Sequence, residues 1–156
     1  YNNEKVHGDP YVHNDEQQKT SGQLFLNYAG GIDLTFGNAG TYAGILIRGL
    51  RNLNNKTEQY INGVWKVSEE LVNNMGNVLS GNVHVKLVND VDMITPNETP
   101  KKSPRYGLKN PNDFPEEERA KRKHFFDMPY RYLVELDKTA NKYKDKLKVA
   151  EYVKAN

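Results

Sequence analysis

Apolar and polar positions switch period several times along the chain, and the switches mark its elements. Gln23 to Tyr28 alternates weakly and predicts a strand, closed by the Gly30-Gly31 turn. Ile32-Asp33-Leu34-Thr35-Phe36 alternates cleanly, which places Ile32, Leu34 and Phe36 on one face and Asp33 and Thr35 on the other. A second glycine turn spans Gly37 to Gly40. Thr41 to Leu50 comes next as the most apolar strand, expected at the centre of the sheet. Residues 51 to 63 are polar and carry the turn signal Asn62-Gly63.

Val64, Val67, Leu71, Val72 and Met75 recur at helical spacing and predict a helix that Gly76 stops. Asn82 to Val88 alternates again and predicts a strand. Residues 95 to 115 hold five prolines, at 96, 100, 104, 111 and 115, and predict loop. Glu116 to His124 predicts a helix with acids in its first turn and bases in its last, as the helix dipole favours. Tyr130 to Leu136 predicts a strand and Thr139 to Val153 a closing helix. The expectation is an α+β fold: one domain over 1–156 with a mostly antiparallel sheet and peripheral helices. Residues 1–21 form its polar N-terminal segment and 138–156 its basic C-terminal helix.

Composition narrows the function classes. At 156 residues the chain is long enough for one real core. No apolar run approaches the roughly 20 residues that span a bilayer, so no membrane partner is expected. Cysteine is absent, which excludes disulfides, thiolate chemistry and Cys-ligated zinc. With no secretory signal visible, the expected location is cytoplasmic. Net charge is only +2, yet six lysines against Asp145 and Glu151 gather between Lys138 and Lys154. Such a helix attracts anions, nucleic acid among them, or is simply solvated. Phosphate loops, dinucleotide fingerprints and nucleophile elbows are missing. Nothing in the residues sets the oligomeric state.

Three constellations could carry chemistry. Glu4, His7, Asp9, Tyr11, His13, Asp15 and Glu16 crowd the N-terminal segment with carboxylates and imidazoles suited to acid/base work. Their spacing matches no recognised zinc pattern, and no metal or other cofactor is expected. The polar sheet face, Asn27, Asp33, Thr35 and Arg48, is either a structural ion pair on a half-solvated sheet or the wall of a polar pocket. An arginine among Ile45, Leu46, Ile47 and Leu50 is costly to bury unpaired, and Asp33 is its candidate partner. Pro104-Arg105-Tyr106-Gly107-Leu108 and Met128-Pro129-Tyr130-Arg131-Tyr132-Leu133 interleave arginine with tyrosine. That composition serves a nucleic-acid or nucleotide surface, cation for phosphate and ring for base, or a strand with snorkelling edges.

Taken in order, these segments resemble the alkyladenine (3-methyladenine) DNA glycosylase family. Gly44-Ile45-Leu46-Ile47-Arg48-Gly49-Leu50 is similar to the family's apolar strand with its arginine, and Ser21-Gly22-Gln23-Leu24-Phe25 to the start of its aromatic strand. The two arginine–tyrosine segments resemble the family's closing motifs. The resemblance covers roughly residues 4 to 136. It implies a glycosylase-like open barrel or roll and a metal-independent hydrolase of base-excision repair, cleaving the N-glycosidic bond of a damaged purine flipped out of duplex DNA. Glu4 would activate water, and His13 with Tyr28 or Phe25 would hold the flipped nucleotide. Tyr11, Asn27, Thr35, Arg48, Arg105, Tyr106 and Arg131 complete the implied ligand-binding set. The chain departs from the family where Lys5-Val6 follows Glu4, where Phe25 and Asn27 replace stacking tyrosines, and where Thr35 replaces a gating asparagine. The alternative is therefore a non-catalytic domain of this architecture that binds or sequesters a nucleotide or other anionic ligand.

Overall fold

The computed structural model describes residues 8–52, 59–83, 101–133 and 153–154. Packing gathers the chain into two units: Asn14–Met93 forms the first, and Asn2–His13 with Ile94–Asn156 the second.

In the first unit Asp15 caps a short 3-10 turn, Glu16–Lys19. Its carboxylate accepts from Gln17 N at 3.0 Å while the Gln18 amide returns to Asp15 N at 3.3 Å, satisfying donors at both positions. Lys19 and the Tyr42 hydroxyl both donate to the exposed Glu16 carboxylate, at 2.8 and 3.1 Å, and these bonds hold it below the usual carboxylate range. Strands β1 (Leu24–Leu26), β2 (Ile32–Thr35) and β3 (Gly44–Leu46) then form an antiparallel sheet in the order β1-β2-β3. The turn between β1 and β2 is built by Asn27, whose Oδ1 accepts from Ala29 N and Gly31 N, both at 3.0 Å. Gly30 supplies the positive φ of 78° that this turn needs.

The expected central strand Thr41 to Leu50 does not run through. It breaks at Ile47-Arg48 into β3, which is an edge strand, and β4 (Gly49–Asn52), so β2 is central instead. Within residues 51 to 63, read only as polar, lie the end of β4 and all of β5 (Gln59–Asn62), which pair with Leu50 opposite Ile61 and Arg51 opposite Tyr60. Tyr60 and Ile61 are the only apolar positions on β5, too few to register as an alternating strand. Helix α1 (Val64–Asn74) comes next, as its period predicts. The ribbon β6 (Gly76–Asn77) and β7 (Asn82–Val83) ends the described part, and the rest of the strand expected to Val88 lies outside the described residues.

The three-stranded sheet buries the face that the alternation marks as polar. Register puts Phe25 and Leu46 beside Asp33, and Gly44 beside Thr35, all on one side. Helix α1 closes over that side. Ser68 Oγ donates to Gly30 O at 2.7 Å, and a Cβ at Gly31 would meet Leu46 Cδ1 at 2.7 Å and Val64 Cγ1 at 2.8 Å. Phe25, Asn27, Asp33, Thr35 and Val67 are all buried there. On the opposite side Leu24, Leu26, Phe36 and Ile45 are exposed, Ile45 at 58%, and only Ile32 is fully covered. The face that carries Ile32, Leu34 and Phe36 is thus largely open to solvent among the described residues. The physical reason is that Gly31, which has no side chain, lies on the polar side and lets Val64 of α1 approach there, while Gly44 on the same side leaves room for Gln18.

In the second unit β8 (Lys101–Ser103), β9 (Arg131–Leu133) and β10 (Val153–Lys154) form an antiparallel sheet in the order β10-β8-β9. Strand β8 lies inside the proline-rich stretch expected to be loop. Pro100 and Pro104 flank it without entering it, so its own N–H donors remain available for the ladder. Helix α2 (Glu116–Asp127) extends past His124 to the residue before Met128, which Pro129 forces into the extended region at φ −63°, ψ 135°. Val153–Lys154 is strand where helix was expected, and 139–152 lie outside the described residues. The described fold is α+β with antiparallel sheets, as expected, and it contains no closed barrel among the described residues. No helix of the described residues is long and apolar enough to cross a membrane.

Gly37 tests the packing of the first unit. A Cβ there would run into the backbone carbonyls of Gln18 and Thr41 and lie 3.0 Å from Ala43 N, and backbone cannot rotate away as a side chain can. Gly37→Ala should cost about 3 kcal/mol. Gly40→Ala, where a Cβ would meet only Asn38 Oδ1 at 3.8 Å, should be close to neutral. Thermal or urea unfolding of the two variants checks the contrast.

Candidate functional site

The polar groups of the first unit are committed to its own backbone. Thr35, only 1% exposed, donates from Oγ1 to Thr20 O at 2.5 Å and accepts from Gln23 N at 3.1 Å. Asn27 spends its oxygen on the turn and directs its Nδ2 towards Asp33 Oδ2 at 3.4 Å. Phe25 is buried beneath α1 with them. Arg48 is half-buried at the break between β3 and β4, and its carbonyl accepts from Gly63 N at 3.0 Å. Tyr28 is strongly exposed on the turn. Asn27, Thr35 and Phe25 are therefore buried parts of the first unit's own structure, the two polar groups bonded to its backbone.

The N-terminal constellation divides. Glu4 and His7 lie outside the described residues, and His13 is exposed. Asp9 is buried and binds two partners. Its Oδ1 accepts from Tyr11 N at 3.0 Å, and its Oδ2 holds Arg105 Nη2 at 2.9 Å. Among the described residues no three His, Asp or Glu side chains gather into a group that could hold a metal.

Around this ion pair the second unit stacks rings and cations alternately. The Arg105 guanidinium lies between Tyr11 and Tyr130, 5.6 and 5.5 Å from the two ring centres, and donates to Phe125 O at 3.1 Å. Arg122 lies between Tyr11, at 5.5 Å, and Phe114, at 3.6 Å, and is tied to Glu118 Oε2 at 2.7 Å and Pro10 O at 3.2 Å. Lys109 continues the stack 4.6 Å over Phe114, and its carbonyl accepts from the Tyr11 hydroxyl at 3.1 Å. Each such contact contributes about 0.5–2 kcal/mol, more where water is excluded. Burial pushes the Tyr11 phenol up, opposed in part by Arg122 and Arg105. Arg105 and Tyr11, expected to bind ligand, are here the inner members of this stack.

No protein-family model matches the chain, and neither a curated protein nor a solved structure matches it. The site is therefore read from its own chemistry.

The outer surface beside the stack is the sheet β10-β8-β9. Its eight residues include Lys101, Lys102, Arg131 and Lys154 and not one carboxylate. Register sets Lys102 between Tyr132 and Val153, on one side, while buried Ser103 pairs with Arg131 on the other. Tyr132 is 62% exposed, and Tyr130, two residues before it, is 40% exposed while its ring packs against Arg105. Tyr106 is exposed on the turn at Gly107, whose φ is 83°. The alternation of arginine with tyrosine had pointed to this segment. Lys102 was missed because three residues between prolines carry no usable period, and Asp9 was missed as the partner of Arg105 because the two are remote in sequence.

The Asp9–Arg105 pair should carry much of the second unit's stability. Removing one partner leaves the other charge buried without compensation. Asp9→Asn should cost about 3 kcal/mol, with the largest loss of amide-exchange protection in residues 8–12 and 101–105. Arg122→Lys should cost less, because the ammonium keeps its charge and loses the flat contact with Phe114.

Proposed function

We propose that this chain is a non-catalytic binding domain for a phosphate-bearing ligand, nucleic acid or a nucleotide, and that the sheet β10-β8-β9 is its binding surface. The observation that carries this reading is Lys102 set by register directly across from the exposed Tyr132, on a sheet that has no carboxylate of its own. Excess positive charge beside aromatic rings is what phosphate and base together require.

Base excision, the activity implied by the glycosylase resemblance, draws less support. It needs Phe25, Asn27 and Thr35 to face a flipped base, and all three are buried in hydrogen-bonded or helix-covered positions of the first unit. Its general base, Glu4, lies outside the described residues.

Binding is tested by fluorescence anisotropy with labelled twelve-nucleotide DNA, single-stranded and duplex. Three phosphate contacts would weaken binding about 20-fold on the single strand and about 40-fold on the duplex between 50 and 200 mM salt. Lys102→Ala should weaken binding several-fold and flatten the salt slope by roughly one contact's worth. Absence of binding to either form, and to a panel of nucleotides, at 50 mM salt would sink the proposal. Release of hypoxanthine from a duplex by the wild type, abolished in Glu4→Gln, would replace it with base excision.

A further inference from the structure

The geometry of the same sheet points to one form of ligand. We infer that it takes single-stranded nucleic acid, with Tyr132 and Tyr130 stacking two bases beside Lys102, an assignment that rests on the binding function proposed above.

Three observations carry it. The first is exposure. Tyr132, on the edge strand β9, presents 62% of its surface, and Tyr130, just before that strand, presents 40%. A large ring left in water at a sheet edge is useful to a ligand that brings its own flat apolar face, which every base does. The second is spacing. Residues two apart in extended chain lie on one side, about 6.7 Å from each other. Stacked bases in a duplex strand are only about 3.4 Å apart. Two bases that each cover one of these rings must therefore be separated from one another, which a paired and stacked duplex does not allow and an extended single strand does. The third is charge. Lys102 is register partner to Tyr132, so a cation stands directly across from the more exposed ring, where a phosphate flanking the stacked base would lie. The ring positions are also fixed: Tyr130 packs on Arg105, and Arg105 is held by Asp9, so the platform needs little ordering on binding.

Three DNA probes separate the alternatives on the wild-type protein: a twelve-nucleotide thymidine strand, a twelve-base-pair duplex, and a twelve-unit strand of abasic sites. The abasic strand keeps the phosphates and loses the bases. The thymidine strand should bind about tenfold tighter than either of the others at 150 mM salt. Tyr132→Ala should lose about tenfold on the thymidine strand and nothing on the abasic strand, and Tyr132→Phe should stay within twofold of wild type. Equal binding of thymidine and abasic strands, or duplex binding as tight as single strand, overturns the stacking inference while leaving phosphate binding standing. No binding to any of the three overturns both. Because the probe comparison is made on the unaltered chain, it decides the question even where a tyrosine variant folds poorly.

Discussion

Asp9 and Arg105 are both held largely away from water, and neither charge could be kept there without the other. Everything specific about the second unit depends on that constraint. An isolated buried guanidinium would cost several kcal/mol, and a buried carboxylate as much. Paired at 2.9 Å, they form a fixed point onto which the unit adds rings. Tyr11 and Tyr130 sandwich the guanidinium, Tyr11 passes the contact to Arg122, and Arg122 passes it to Phe114. A short chain segment with little apolar content thereby acquires an ordered interior from alternating charge and aromatic surface. That solution suits a polar sequence, in which 27% of residues are charged.

The first unit meets a different constraint. Three short strands and one helix can cover one face of a sheet, and here glycine decides which. Gly31 leaves space on the side that also carries Asn27, Asp33 and Thr35, so α1 settles there with Val64, and Gly44 leaves space on that side for Gln18. The polar groups are then enclosed, and each must find a partner or cost the desolvation of an unmade hydrogen bond. Thr35 and Asn27 find theirs in the adjacent turns. Hydrogen bonding there takes the place of apolar contact as the specifier of register: a one-residue slip of β2 would remove Thr35 from Thr20 O and Gln23 N together.

These two constraints explain what could be read from the residues in advance. Helix α1 was legible because five apolar residues recur at its period, and the β1–β2 hairpin because Gly30-Gly31 interrupts two alternating runs. Helix α2 was legible from its charge order, with its end set three residues later, at Asp127, ahead of Pro129. Alternation sorted Ile32, Leu34 and Phe36 from Asp33 and Thr35 but cannot say which face of a sheet will be covered, since that depends on where the next element lands. Strands β5 and β8 were illegible because hairpin partners can stabilise short segments with no pattern of their own. The ring–cation stack was legible only in half: Arg105 and Tyr130 stood out in composition, while Asp9 and Arg122, which fix them, reach the same place only through tertiary folding.

That division bears on function. Two residues read from the sequence as ligand-binding, Arg105 beside Tyr106 and Thr35 on the polar face of its strand, are already consumed by the structure. A group already satisfied by internal bonds has little free energy to offer a ligand, since binding would have to break what folding has made. The groups with something to offer are those that folding positions and leaves in water. In the second unit Tyr132 meets that condition most fully, being mostly exposed, with half-buried Lys102 set across from it by strand register and the nearby Tyr130 ring held by the Asp9–Arg105 pair. The buried arginine therefore serves the surface by holding Tyr130 still, and in the proposed binding the charge offered to a ligand is that of Lys102.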